Sequence, residues 1–499
     1  MALWAALGCL LVGAAVLLFL LYCAYVKYQH LKYDHIPGPP RKSFLLGHWH
    51  IFRQAVGGNI FIYDFFLEWV KKYGPVLRLN IFHRVVILVT SPEALKEYLM
   101  SHKYSKDHAY EHLYALFGER FMGNGLVTER DYNHWHTQRR IMDPAFSRTY
   151  LIGLMDVFNE KAEDLMDILA EKADGKTEVQ MHNLLSRVTL DVIAKVAFGL
   201  ELNALHDDQT PFPRAISAVM EGTVSIRNPF IKYMPGKWKF VKEVQESVRL
   251  LRQTGVECIE RRKTSMQNGE EIPMDILTQI LKMAALEKDC DQENLIDNFV
   301  TFFIAGQETT ASQLAFAVME LARHPAVMER VRAEVDEVVG SKRNIDYEVL
   351  GKLKYLSQIL KESLRLYPPA PGTSRFLKED AVIEGIKVPA NVSLFFNMYV
   401  MGRMDTFFPD PLTFDPDRFS SDVPRQNFTY FPFSLGPRSC IGQAFSQMEA
   451  KVVLAKLVQR FEFQLVAGQS FNILDNGTLR PLDGVICHLK PQREAMRSQ

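Results

Sequence analysis

Uncharged residues run without a break from Ala2 to Val26, dominated by Leu, Ala, Val and Phe. A helix of that length spans roughly 37 Å, enough to cross a hydrocarbon core of about 30 Å. The stretch lacks the basic start, shorter apolar run and small-residue cleavage site of a removed signal, so it reads as an uncleaved transmembrane anchor. Positive charge follows on its C-terminal side only, at Lys27, Lys32, Arg41 and Lys42, which predicts that the remainder faces the cytosol. Ile36-Pro-Gly-Pro-Pro40 then reads as a stiff bent hinge. Val76–Leu79 and Val85–Val89 are rich in β-branched residues around Phe82-His83-Arg84 and predict a β-hairpin. From Pro92 to about Lys361 the apolar spacing is mainly helical. Strand signals return at Val382–Val388, Ser393–Phe396, Phe461–Val466 and Val485–Leu489. The expected organisation is an anchor at 2–26, a basic and Pro-rich hinge at 27–40 and one large domain at 41–499. That domain is expected to be mostly α with a small β portion.

The 58 basic and 58 acidic residues balance, so no net field points to nucleic acid. The six cysteines stand at 9, 23, 258, 290, 440 and 487. None forms a Cys-x-x-Cys pair or a zinc-type spacing, which fits a reducing compartment. No strand–glycine–helix nucleotide fingerprint appears, so the chain is not expected to bind NADPH or ATP of its own. The His-Trp-His tripeptides at 48–50 and 134–136 lack acidic or Cys partners at ligand spacing and read as surface or capping histidines.

Three segments carry candidate chemistry. Phe433-Ser-Leu-Gly436-Pro-Arg438-Ser-Cys440-Ile-Gly442 places one thiol after a Gly-broken turn, two residues beyond an Arg and just before a helical run, Gln443–Arg460. A thiol near a helix N-terminus and a guanidinium has its thiolate favoured, and the thiolate is what ligates a metal. The alternative is a structural buried cysteine. Ala305-Gly306-Gln-Glu308-Thr309-Thr310 sits inside the longest helical candidate, Asp291 to about Arg323. A helix-interior Gly costs about 1 kcal/mol relative to Ala, and such a local conflict marks a functional site or a small-residue helix contact. Glu362-Ser-Leu-Arg365 puts opposite charges on one helix face, just ahead of Tyr367-Pro-Pro369.

Together these segments resemble the cytochrome P-450 haem-thiolate enzymes, and the resemblance covers nearly all of the chain after the anchor. It implies the P-450 fold, with haem (iron protoporphyrin IX) as cofactor and Cys440 as the axial ligand of its iron. Thr309 and Glu308 would then relay protons for O–O cleavage. Ala305, Gly306, Phe433, Gly436 and Gly442 would flank the haem. Trp135, Arg139, Arg438 and Arg375 would meet its propionates. Glu362, Arg365 and Arg418 would form the ion network that locks the approach to the thiol loop. The implied partners are an NADPH-dependent flavoprotein reductase, membrane lipid and a small lipophilic substrate. Arg140, Lys361 and Lys451 are candidates for docking the reductase. The implied location is the endoplasmic reticulum membrane.

Within the family the chain resembles the sterol side-chain hydroxylases, which implies a cholesterol-like substrate oxidised at C24. By that likeness Phe82, Tyr110, Leu113, Val127, Ile304, Ala305, Ala370 and Thr478 line the substrate pocket. Pro371 and Ser374 stand where those enzymes carry Trp and Phe, which implies a wider cavity and leaves other sterols, fatty acids or foreign lipophiles open. A haem-thiolate isomerase or dehydratase would not need the acid–alcohol pair. A haem-binding protein without turnover would have no use for it either.

Overall fold

The computed structural model describes residues 2–56, 60–228, 230–286 and 291–492; Cys290 lies outside them. Backbone contacts divide the chain into two units.

The first unit joins residues 1–107 to 372–400. It opens with the helix Ala2–Tyr33. From Trp4 to Tyr33 this helix is long and apolar enough to cross a membrane, and its most apolar window is not buried at all. The proline segment does not stand clear as a hinge. Pro37 O accepts from Arg78 N at 2.8 Å. A Cβ at Gly38 would lie 2.5 Å from Arg78 O, so only glycine lets the segment lie against that strand.

Val76–Ile81 pairs antiparallel with Arg84–Val89, Ile81 opposite Arg84, around a two-residue turn at Phe82-His83. Phe82 adopts a φ of +54° there. The second strand then runs parallel to Val392–Asn397, which pairs antiparallel with Gly372–Leu377. Residues 382–388, expected as one strand, are instead a hairpin of Ala381–Ile383 and Ile386–Val388. Glu384 and Gly385 both take positive φ and turn the chain in two residues, the geometry that matches strand twist. His48 is a further correction, being 1% exposed rather than on the surface. Its Nδ1 accepts from Asn80 N at 3.0 Å and its Nε2 lies 3.2 Å from Pro39 O, so the ring ties the proline segment to the sheet.

The second unit, residues 108–371 and 401–499, is helical around one apolar core. Its centre is the long helix Gln292–Arg323, capped by the Asp291 side chain. Between Asn294 and Leu321 its residues are buried except Ala305, Gly306 and Thr309. The helix Met181–Phe198 packs closely along it, and Gly306 is why it can: a Cβ there would lie 2.7 Å from Ile193. The helices Tyr132–Met142, Phe212–Ser225, Lys354–Leu366 and Gln443–Arg460 complete the frame of the site. The small sheets include Phe461–Leu465 with Ile486–Pro491, and the hairpin Ile473–Asp475 with Leu479–Pro481. The architecture is the α+β arrangement expected from the sequence.

Candidate active site

The thiol loop is shaped by its own backbone. Ser434 N donates to Phe431 O, Ser439 N to Gly436 O and Cys440 N to Phe433 O, at 2.8, 3.0 and 2.8 Å. Ser434 and Gly436 take φ of +60° and +69°, a curl in which glycine at 436 avoids the Cβ clash. Gly442 then starts the Gln443–Arg460 helix without a side-chain cap. A Cβ at Gly442 would come 3.9 Å from the Cys440 sulfur, in ordinary contact. Cys440 itself is exposed, although Phe433 through Ser439 are only partly so.

The Tyr132–Met142 helix closes on this loop. The Arg438 guanidinium lies 4.1 Å from the Trp135 ring centroid, a cation–π contact. Arg438 Nη1 donates to Glu129 O at 2.6 Å, and Arg139 Nη1 donates to Ser439 O at 2.7 Å. Arg139 also pairs with Asp143 at 2.6 Å. The structure thus brings Trp135, Arg139 and Arg438 to the thiol loop. Arg375 belongs to the first unit, where it is buried and its Nη1 donates to Ser374 O at 2.9 Å.

On the long helix, Thr309 Oγ1 donates to Ala305 O at 2.8 Å, a bond that fixes the hydroxyl on the partly exposed face and leaves its lone pairs available. Glu308 is 7% exposed. Burial pushes its carboxyl upward, opposed by the charge of Arg480 and by the Thr478 hydroxyl, which donates to Oε2 at 3.5 Å. One turn on, Ser312 Oγ lies 3.3 Å from His182 Nε2. His182 is held neutral, its ring pushed down to about 4 by burial and then by Arg480. Behind the helix, Glu449 is 1% exposed, and among the described residues neither carboxylate oxygen has a well-aligned hydrogen bond, the Thr310 hydroxyl being the group nearest to supply one. Burial raises that carboxyl well above its ordinary value. Thr310 Oγ1, close to it, bonds Ser446 Oγ at 3.2 Å. Arg480, His182 and Glu449 carry no motif, and only the fold brings them to this helix.

Glu362 and Arg365 are fully buried side chains joined by two 2.7 Å bonds. Arg365 Nη1 also donates to Pro411 O at 2.6 Å, and Asp415 N donates to Glu362 Oε1 at 2.9 Å. Arg418 Nε stands 3.4 Å from Glu362 Oε1, within ion-pair reach but not aligned as a hydrogen bond.

The wall candidates are spread. Ile304 is 3% exposed, Ala305 and Ala370 are exposed, and Tyr110, Leu113, Val127 and Thr478 are partly buried. Phe82 belongs to the first unit, packed 5.6 Å from the Trp49 ring. Of the docking candidates, Arg140 is exposed, whereas Lys361 is only partly exposed and Lys451 Nζ turns to Leu350 O at 3.2 Å. At the tip of the 473–481 hairpin, Gly477 takes a φ of +86°, and a Cβ there would lie 2.5 Å from Thr223 Oγ1 on the Phe212–Ser225 helix.

The haem implied by the sequence meets a fitting set of residues. An exposed cysteine stands on a hydrogen-bonded loop, and the long helix, buried between Asn294 and Leu321, is open there only at Ala305, Gly306 and Thr309. Those positions are i, i+1 and i+4, one continuous patch on a helix. A flat apolar group needs a small-residue surface of this kind beside a soft ligand.

Comparison with known proteins gives the same answer. The Cytochrome P450 family model matches residues 37–488. Cytochrome P450 4d2 of Drosophila melanogaster is 30% identical over 92% of this chain and 94% of the fly protein. Cytochrome P450 4d8 of the same fly is 30% identical over 84% and 94%. Cytochrome P450 3A12 of Canis lupus familiaris is 26% identical over 97% and 96%. This chain belongs to the cytochrome P450 family of haem-thiolate monooxygenases, whose haem iron receives electrons from a reductase.

Proposed function

We propose that the protein is a membrane-anchored monooxygenase that hydroxylates a sterol side chain, cholesterol at C24. It would use haem b and electrons passed from NADPH by a separate flavoprotein reductase. The catalytic domain, residues 41–499, would face the cytosol from the endoplasmic reticulum, held by the apolar segment at 2–26. The observation that carries the monooxygenase reading is the long helix, buried along its middle except for the small patch Ala305–Gly306–Thr309. The sterol reading is supported by runs that resemble cholesterol 24-hydroxylase: Tyr73-Gly-Pro, Phe117-Gly-Glu-Arg120, Asp297–Gly306, Tyr399–Asp405 and Phe428–Gly436.

Bound haem supplies the activation of dioxygen and the transfer of one oxygen atom into a C–H bond. The chain supplies the rest. Cys440 would hold the iron as thiolate, and Arg139 and Arg438 would orient the propionates from the Trp135 helix. Thr309 would offer its hydroxyl at the open face, and Glu308, behind it, would pass protons inward while Ile304 and its buried neighbours keep bulk water out. Pro371 and Ser374, in place of two aromatic residues, favour a second reading in which a roomier site takes other sterols, fatty acids or foreign lipophiles.

Reconstitution with reductase, NADPH and cholesterol, followed by mass spectrometry, tests the proposal. The expected product is a sterol carrying one added oxygen on C24. Coupled turnover of other lipophiles with cholesterol untouched would replace the sterol reading by the second one.

A further inference from the structure

Glu308 is a buried carboxyl that forms no ion pair among the described residues. Its one hydrogen bond there comes from Thr478, at the entrance to the strand Leu479–Pro481. The strand that follows, Leu479–Pro481, packs on the same long helix, so Arg480 stands on it two residues beyond the Thr478 that touches Glu308, while Leu479 between them is 0% exposed. Arg480 has a buried Nε without a hydrogen-bond partner among the described residues, yet the residue as a whole is partly exposed. Its side chain therefore spans from the interior toward the surface.

The neighbouring groups leave this cation as the one that matters. His182, on the Met181–Phe198 helix, meets Ser312 and is neutral through the physiological range. The Arg480 charge is felt by both Glu308 and His182. A direct Arg–carboxylate fork would lock Glu308 in its ionised form. A cation beyond ion-pair distance lowers the cost of ionisation without taking up the carboxylate oxygens.

We propose that Arg480 is a positioning residue for Glu308. From outside ion-pair distance, and with the Thr478 hydroxyl beside it, Arg480 keeps the buried carboxyl able both to release and to regain a proton. The 473–481 hairpin thereby becomes part of the proton supply. This rests on the reading of Glu308 and Thr309 as the relay pair.

The test compares Arg480→Leu, Arg480→Gln and Arg480→Lys with the parent. In the apoprotein, an infrared titration follows the protonated-carboxyl band that disappears in Glu308→Gln. Arg480→Leu and Arg480→Gln are expected to hold that band to a pH higher by about one unit or more, and Arg480→Lys to restore the parent titration. In the haem-loaded enzyme, product formed per NADPH is expected to fall severalfold in the Leu and Gln variants, with a larger solvent isotope effect, and to recover in the Lys variant. If Arg480→Leu does not fold, Arg480→Gln carries the same comparison. A parent that couples normally while the carboxyl band of the Leu or Gln variant titrates unmoved overturns this proposal alone. A parent that oxidises nothing with reductase overturns the relay reading, and this proposal with it.

Discussion

Arg365 and Glu362 meet through the Nε–Nη2 edge of the guanidinium, each bond 2.7 Å long, in a place where neither side chain reaches solvent. Ion pairs at i,i+3 on a helix are ordinarily surface features worth little. Here the pair reaches Pro411 and Asp415, so the stretch leading to the thiol loop hangs on it.

Arg365→Ala leaves the buried Glu362 with only the longer, poorly aligned contact to Arg418, and is expected to cost about 3–5 kcal/mol, read as a lower urea midpoint. Arg365→Lys is not expected to rescue it, because an ammonium cannot reproduce the planar fork. Arg418→Ala, whose contact is longer and poorly aligned, is expected to cost clearly less.

Cys440→Ala is expected to abolish thiolate ligation. The purified protein then loses the carbon monoxide difference spectrum of a haem thiolate while its far-ultraviolet dichroism stays near that of the parent. A retained spectrum would remove Cys440 from the role.

Thr309→Ala keeps the thiol loop intact, so haem binding is expected to persist. Reducing equivalents are expected to appear as peroxide rather than product, because the hydroxyl fixed on the open helix face is gone. Measuring peroxide and product per NADPH decides it; coupling equal to the parent would count against the relay.

Stability is expected to respond to pH at two buried groups, in opposite directions. The unfolded chain takes up a proton at His182 below its ordinary 6.5, whereas the folded protein does so only near 4. Stability is therefore lost as pH falls through that window, by about 3 kcal/mol at most, and His182→Gln is expected to flatten the slope. Glu449 behaves conversely. Folding holds its proton well above the ordinary 4.5, so stability falls as pH rises past that value, and Glu449→Gln is expected to remove this loss. Melting temperature against pH, from 4 to 9, measures both.

Orientation on the membrane has a chemical readout. Asn391, Asn427 and Asn476 lie in N-x-Ser/Thr sequons. A cytosolic domain leaves all of them bare, so treatment with an endoglycosidase is expected to change nothing on a gel. A mobility shift would reverse the topology.

Much of the site was legible because its signals are local. The 433–442 run, the small-residue break in the long helix and the Glu362–Arg365 pair each announce themselves within a few residues. The long helix begins and ends within a residue of expectation, since Asp291 is a cap that can be read from its type. What was not legible depends on partners distant in sequence. Arg480, His182 and Glu449 are ordinary polar residues until the fold surrounds them with apolar neighbours. His48 looked like a surface group because nothing near it in sequence says that Asn80 will donate to its ring. The turn at Glu384-Gly385 escaped notice because glutamate is an unusual choice for a positive φ. Gly306 could be read as exceptional, but not that Ile193 occupies the direction in which a side chain would grow.

Gly477 fits against Thr223 with no room for even a methyl group. The hairpin tip therefore cannot lie any nearer to the Phe212–Ser225 helix, and any side chain at 477 would press the two apart. Such a wedge would also displace the neighbouring Thr478, whose hydroxyl donates to the buried Glu308, so a methyl group at the turn would be felt at the acid of the long helix.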